Sequence, residues 1–452
     1  MTGPTLAGIS ALRQQTFASL SNPNYRRYFS GQAISLIGTW MQTIAQSWLV
    51  LQLTGSGTDI GLVVALQTLP ILLLGPWGGV VADRMDKRKL MIGLQAAMGV
   101  LALALGILTV THTVTLWQVF VLAFLLGMNN CFENPARQAF VLEMVGPADL
   151  RNAVSLNSVM VNAARAIGPA IAGVIIATGG IGFCFIVNAA SFVAVVVSLS
   201  RLNVSRLTRS VPTGRGRGQL REGISYVRRT PSLLVPLLMM GLVGCLAYEF
   251  QVVLPIVAKS TFHGNSQIYG FMTGAMGAGA VAGGLYAAAK GRTGVRALTE
   301  TSAIFGVFLV GAAFAPNIVL ELIALAFVGG ASVSFMSTAN STLQLGAAPN
   351  MRGRVMALWA VALLGSTPIG GPIVGWVCET YGGRAGLVLG AAACLLAALF
   401  AAILLRYKGI RGEDPRHGAP AQDGDEIDVV ITGAGELADV PGLNASAIAG
   451  AD

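Results

Sequence analysis

The sequence predicts an all-α integral membrane protein with twelve transmembrane helices arranged as two six-helix repeats. Hydrophobic residues make up 54% of the 452 positions and charged residues only 11%, too little polar surface for a soluble fold of this length. The apolar residues form twelve runs, each close to the ~20 residues that a helix needs to cross ~30 Å of hydrocarbon. The basic residues lie almost entirely in alternate loops between these runs.

The charge distribution predicts the orientation of the chain. If the amino terminus is cytoplasmic, only Lys259 and Arg384 of the 29 lysines and arginines lie outside, and Arg165 sits deep within a span. We therefore expect both termini and loop 201–231 to be cytoplasmic. The predicted spans are 30–53, 60–81, 90–110, 116–140, 154–178, 181–200, 233–257, 268–289, 298–315, 318–343, 355–379 and 384–405.

The two halves of the chain match each other, which indicates a duplicated six-helix unit. In this duplication the fourth and fifth spans recur as the tenth and eleventh spans. We expect a cytoplasmic segment 1–29, a first bundle 30–200, a linker 201–231, a second bundle 232–408 and a tail 409–452. The matching positions are Gly127 to Phe132 with Gly330 to Phe335, Arg151 with Arg354, and Gly168-Pro169 with Gly371-Pro372.

The segments outside the bundles have distinct compositions. Residues 1–29 contain no short apolar stretch followed by a small-residue cleavage site, so we expect no removable signal peptide. The end of the linker places Leu220, Ile224 and Val227 on one face, which suits either an amphipathic helix on the inner leaflet or a solvated linker. The tail is acidic with little apolar periodicity, which predicts disorder.

Composition also excludes several partners. The basic residues line the membrane face predicted to be cytoplasmic, where they meet anionic lipid headgroups, so they do not indicate nucleic acid. The five cysteines fall inside predicted spans without metal-ligand or disulfide spacing, and we expect them to be packing residues. We expect no metal or other cofactor.

A motif lies between the second and third spans. The run Gly79-Val-Val-Ala-Asp83-Arg84-Met-Asp-Lys87-Arg88-Lys resembles the cytoplasmic signature loop of the major facilitator superfamily, with Asp86 in place of the usual glycine. Three further runs resemble the branch that contains the enterobactin exporter, macrolide efflux proteins and Tap-type multidrug pumps. They are Asn134 to Phe140, Arg165-Ala-Ile-Gly168-Pro169 and Glu222 to Arg229, and the resemblance covers residues 22 to about 408.

The resemblance implies a role for the signature loop. Gly79, Asp83, Arg84 and Arg88 would form a charge network that joins the two halves when the cavity faces outward. Ordinary positive-inside charge explains the basic residues equally well but not the acid. The corresponding place in the second half has Ala288 instead of an acid, so we expect one such latch.

Glycine and proline recur in the fifth and eleventh spans and predict close packing with a proline kink. In the superfamily, a glycine-proline run in the fifth helix resembles the antiporter motif of exporters. Simple tight packing is the alternative. The residues are Gly168, Pro169, Gly173, Gly371, Pro372 and Gly375.

Two charged residues are expected within the membrane interior. Glu133 and Arg165 are equally far from Asp149 in the predicted turn, which would place both on the order of 15 Å into the core, facing each other or a wet cavity. The pair is either structural, or in contact with substrate, or a site where Glu133 carries a proton. Glu249 is the competing carboxylate, unless it simply reaches the outer interface.

Other polar and aromatic residues in the spans are candidates for the substrate cavity. Hydrogen bonds between helices explain such residues equally well. The candidates are Trp40, Gln42, Gln46, Asn129, Asn162 and Tyr248.

By this resemblance the protein is a secondary active transporter of the bacterial cytoplasmic membrane rather than an enzyme. It would export small amphiphilic compounds, drugs or siderophores, by alternating access in exchange for protons, as a functional monomer surrounded by lipid. One alternative is a transporter of lipid-like substrates with a cavity that opens sideways. Another is a membrane enzyme or receptor, although no phosphate-binding loop, metal cluster or nucleophile elbow is present in the sequence.

Overall fold

The computed structural model describes residues 17–207 and 219–408, and all regular structure in this part is helical. Ten helical runs are long and apolar enough to span a membrane. One of them, Leu116–Gly179, has 64 residues and bends at Gly146, so it supplies two membrane helices. Pro23–Thr54 is a further long helix, outside this set, and each of the twelve predicted spans lies largely or wholly within a helix.

We number these membrane helices in chain order. The first half contains α1 (Pro23–Thr54), α2 (Gly57–Arg84), α3 (Lys87–Val110), α4 (116–145), α5 (147–179) and α6 (Ile181–Ser200). The second half contains α7 (Pro231–Leu246, then Phe250–Ile256 and a π-helical turn Val257–Thr261), α8 (Ser266–Lys290), α9 (Val295–Ala313), α10 (Ile318–Gly346), α11 (Arg352–Leu364, then Thr367–Tyr381) and α12 (Gly383–Lys408). A linker helix, Gln219–Arg229, precedes α7.

Local sequence explains where several helices begin and turn. Asn22 caps α1 through hydrogen bonds from the backbone of Asn24 and Tyr25, so this helix begins before the predicted position 30. The turn between α4 and α5 lies at Gly146, whose φ of 73° favours glycine, and not at the predicted Asp149. Because of this cap and this turn, α1, α4 and α5 are longer than the apolar runs that predicted them.

Helices α7 and α11 are each interrupted by a break, and neither break lies at a proline where the sequence predicted a kink. The backbone stays helical through Pro169, and α11 breaks at Gly365 and Ser366 because Pro368 begins a new helix there. The break precedes Pro372, where the sequence predicted the kink. A second break, at residues 247–249, divides α7.

Packing within each half follows the internal repeat. In the first half α3 packs on α6 and α2 on the 116–179 run, and in the second half α9 packs on α12 and α8 on α10. Gly127 lies against the backbone of Gln67, and its counterpart Gly330 lies against Gly279. The equivalent glycines therefore make equivalent helix crossings.

The two halves meet along two helix pairs, α2 with α11 and α5 with α8. At the first crossing, a side chain at Gly61 would overlap the carbonyl group of Gly371. At the second crossing, Gly270 lies against the carbonyl of Pro169. Only glycine allows backbones to approach this closely.

The contacts between halves lie toward one end of the bundle. The carboxylate of Glu379 accepts hydrogen bonds from the hydroxyls of Ser56 and Thr58 at 2.7 and 2.6 Å. Nearby, Lys259 Nζ donates to the carbonyl of Leu51 at 3.2 Å. We call this end of the bundle, formed by the 54–58, 259–270 and 371–382 segments, the closed face.

The linker helix packs at the opposite end, on the second half. Its Glu222 pairs with Arg354 of α11 at 2.5 Å, and the Tyr226 hydroxyl accepts from the backbone N–H of Ala348 at 3.2 Å. Val227 is buried, whereas Arg228 and Arg229 are exposed. Residues 1–16, 208–218 and the tail 409–452 lie outside the described residues, as do the expectations made for them.

Candidate functional site

Glu133 does not pair with Arg165, and that prediction is wrong. The Glu133 carboxylate forms an ion pair with Arg137, one turn along α4, at 3.1 Å, and Gln95 donates to it at 3.4 Å. Because the turn lies at Gly146, Arg165 is about six residues, or roughly 9 Å, farther from the turn than Glu133. The charge of Glu133 is therefore neutralised within the first half.

Arg165 instead lies where the two halves face each other. Its guanidinium carbon is 5.2 Å from the ring centroid of Trp40 in α1. The phenol of Tyr248, in the broken part of α7, is close enough to interact with it electrostatically. The site thus joins residues from α1, α5 and α7.

Glu249 is buried at the break in α7 and does not reach an outer interface. Its side chain is only 4% exposed, and its Oε1 atom has no hydrogen-bond partner among the described residues. The groups that interact with it are Cys245 of its own helix and Thr367 at the break in α11. The two helix breaks are therefore adjacent, since Gly370 also lies against the carbonyl of Cys245.

The signature loop makes contacts within the first half. Lys87 and Glu143 form a buried ion pair of 2.8 Å between α3 and α4. Arg88 donates to the carbonyls of Leu199 and Ser200 at 2.8 and 2.7 Å, which caps the carboxyl end of α6. Arg84 is exposed, and the side-chain environments of Gly79 and Asp83 lie outside the described residues.

Three of the predicted cavity residues form hydrogen bonds between helices. Gln42 accepts from Asn188 at 2.6 Å, and Gln46 accepts from Gln67 at 3.0 Å. Asn129 donates to the carbonyl of Leu94 at 2.8 Å. All three are buried, so packing rather than contact with a cavity accounts for their polar groups.

The other three predicted cavity residues differ from one another. Asn162 donates to the carbonyl of Ser158 in its own helix. Trp40 lies against Arg165, while Tyr248 interacts with Arg165 electrostatically and donates its hydroxyl to the carbonyl of Ser332 at 2.6 Å. Trp40 and Tyr248 are therefore the two cavity candidates that the structure places at the boundary between halves.

Sequence reasoning missed two buried acids. The sequence analysis did not predict the pair of Glu143 with Lys87. A lysine and an acid at neighbouring helix ends could have indicated this pair. Glu321, in the first turn of α10, is fully buried, and neither carboxylate oxygen has a hydrogen-bond partner among the described residues. Arg384 lies near enough to interact with Glu321 but donates to the carbonyl of Ala315.

The geometry agrees with comparisons with known proteins. The chain is 27% identical to the staphyloferrin A transporter of Staphylococcus aureus (strain NCTC 8325 / PS 47), over 86% of this chain and 98% of the relative. It is 27% identical to the multidrug efflux pump Tap of Mycolicibacterium fortuitum, over 82% and 93%. Its fold matches the crystal structure of the nucleoside transporter NupG with a TM-score of 0.69 at 13% identity, over 85% and 99% of the two chains.

The two six-helix repeats have the fold of known transporters, and the family match and the curated relatives make the chain a membrane transporter of the major facilitator superfamily and not an enzyme. It is a multi-pass protein of the bacterial cell membrane. Within the superfamily the chain belongs to the transmembrane secretion effector family, whose model matches residues 14–428.

Proposed function

We propose that the protein exports small amphiphilic compounds by alternating access, in exchange for protons. The observation that carries this proposal is the pair of matched crossings between the halves, α2 with α11 and α5 with α8. Glycine contacts without interlocking side chains allow two rigid bundles to separate and rejoin. Of the predicted packing residues, Gly173, Gly371 and Gly375 lie at these crossings, whereas Gly168 packs against Trp40 of α1 within the first half.

Orientation and relatives support export. With cytoplasmic termini, the closed face of the bundle is extracellular, so the present arrangement is the one that receives substrate from the cytoplasm. The relatives are named as a siderophore transporter and a multidrug efflux pump. A drug or a siderophore is therefore the expected class of substrate.

Glu249 is the carboxylate best placed to carry the proton. Glu133 has Arg137 as a partner, whereas no basic residue in the described part pairs with Glu249. A buried carboxylate without a cation favours its neutral form, and it becomes charged when water reaches it. Its position between two helix breaks would link that exposure to motion of α7 and α11.

The test is transport by the purified protein in lipid vesicles with an imposed pH gradient and a panel of labelled drugs and siderophores. Wild-type protein should accumulate substrate only with the gradient. Glu249→Gln should lose this accumulation but still exchange labelled for unlabelled substrate. Glu300→Gln, at an exposed acid of α9, is the matched control and should transport normally. Gradient-driven transport by Glu249→Gln would move the coupling site elsewhere.

A second candidate function is transport of a lipid-like substrate that enters sideways. It is favoured by an apolar groove of about 570 Å³ along the seam between α5 and α8. Vesicles containing labelled lipids would distinguish the two functions, because lipid transfer between leaflets without drug transport would replace the exporter proposal. The groove is lined by Ala166, Ala170, Val174, Phe271, Gly274 and Ala278.

A further inference from the structure

Arg165 carries a charge in the membrane interior that no acid neutralises. It is near the middle of α5, and none of the acidic side chains that the structure describes forms an ion pair with it. The nearest candidate by sequence, Glu133, is occupied by Arg137. A charged arginine within a membrane is costly unless an anion or a wet cavity compensates it, so such residues are usually functional.

The surroundings of Arg165 hold the guanidinium but leave its donors free. Trp40 lies under one face at 5.2 Å, a cation–π contact that leaves the edges with the N–H groups open. An arginine side chain has five N–H donors, and none donates to a described protein atom. The Tyr248 hydroxyl donates its hydrogen to the carbonyl of Ser332, so only the lone pairs of its oxygen remain to interact with a cation.

Two half-buried aromatic side chains, Trp40 and Tyr248, interact with this charged group. The Tyr248 ring is held in place by Phe305 and Phe250, which are buried, with centroid distances of 5.6 and 6.4 Å. Half-buried aromatic rings provide contact area for the apolar body of a ligand. The site therefore combines a cation that has no acidic partner among the described residues with the partly exposed rings of Trp40 and Tyr248.

We propose that Arg165, supported by Trp40 and Tyr248, binds a carboxylate group on the transported compound. The guanidinium fork matches a carboxylate with two parallel hydrogen bonds, while the aromatic residues contact the rest of the molecule. This inference rests on the proposed export function and narrows its substrates to acidic amphiphiles. Because the two halves supply different parts of the site, a bound compound would contact both halves.

The test uses three compounds with one fluorophore: dansylglycine, which is anionic, dansylglycinamide, which is neutral, and dansylethylenediamine, which is cationic. Binding to the full-length protein in lipid nanodiscs should favour dansylglycine over the amide by about tenfold or more. Arg165→Gln should weaken dansylglycine binding about 10- to 100-fold and leave amide binding unchanged. Arg165→Lys should be intermediate because it keeps the charge and loses the fork.

Arg201→Gln removes an exposed arginine at the end of α6 and is the matched control, expected to bind like wild type. Equal binding of the three compounds by wild-type protein would overturn the inference, whether or not Arg165→Gln folds. Unchanged dansylglycine binding by a folded Arg165→Gln, monodisperse in gel filtration, would overturn it also.

Transport of the same compounds separates this inference from the export proposal. Vesicle transport of the neutral or cationic compound, without preferential binding of dansylglycine, would leave export standing and reject the carboxylate site. Arg165-dependent binding of dansylglycine without gradient-driven transport of any compound would support the site and reject export.

Discussion

Glu133 and Arg137 form an ion pair of 3.1 Å across one turn of α4, with both side chains largely buried. The pair neutralises an acid that the sequence alone placed opposite Arg165. Because Glu133 is paired in this way, Arg165 has no acidic partner among the described residues.

Removing one member of this pair should destabilise the fold. Glu133→Gln leaves Arg137 without its carboxylate, and we expect a loss of about 3 kcal/mol. Replacing both residues with methionine should recover most of that loss, because no buried charge remains. Thermal unfolding of the wild type and of these two variants in one detergent measures this. A double variant less stable than Glu133→Gln would contradict the structural role.

Some residues of the signature loop should stabilise the fold, and others should act in transport. Lys87→Met leaves the carboxylate of Glu143 buried and should lower the thermal midpoint, whereas Arg84→Ala, at an exposed position, should not. We expect Asp83→Asn to reach the membrane in normal amount and fail to confer efflux. Normal efflux by Asp83→Asn would leave the loop with a topological role alone.

The α2 and α11 crossing predicts a contrast between two glycines of one helix. A methyl group at Gly61 would overlap the Gly371 carbonyl, whereas Gly75 has no atom within 4 Å of the added carbon. Gly61→Ala should therefore weaken the closed face and reduce transport, and Gly75→Ala should do neither. Vesicle transport and thermal stability of both variants provide the comparison. Equal behaviour would mean that the closed face tolerates separation at this point.

Glu321 should be replaceable without loss of stability. Its buried carboxylate has no hydrogen-bond partner among the described residues, so Glu321→Gln removes a charge that the interior disfavours. We expect an unchanged or higher thermal midpoint. Arg384→Gln, which removes the cation near it, should lower the midpoint. A large destabilisation by Glu321→Gln would show that the charge itself is needed.

The orientation of the chain can be tested by thiol labelling. A cysteine introduced at Thr113, exposed between α3 and α4, should react from outside with an impermeant reagent. One at Thr213, in the linker, should react only after the membrane is opened. The parent protein is the control, because its five cysteines are buried or half-buried. The reverse pattern would invert the orientation and the proposed direction of transport.

Much of the fold could be predicted from the sequence because hydropathy, charge and repetition act locally or along the chain. The apolar runs indicated the helices, and the matches of Gly127 with Gly330 and Gly168 with Gly371 indicated the duplicated half. Helix boundaries were less accurate, because caps such as Asn22 and the turn at Gly146 extend helices beyond the hydrocarbon. Counting residues from the wrong turn then placed Arg165 at the depth of Glu133.

The sequence by itself determined that this chain spans a membrane in two related halves, since burial of apolar surface and hydrogen bonding of the backbone leave few alternatives. Only the tertiary structure decided the partners of its buried charges. An acid can find its cation one turn away, as Glu133 does, or on another helix, as Glu143 does. Helix rotation and crossing set these distances, and they likewise left Arg165 over Trp40 without an acid.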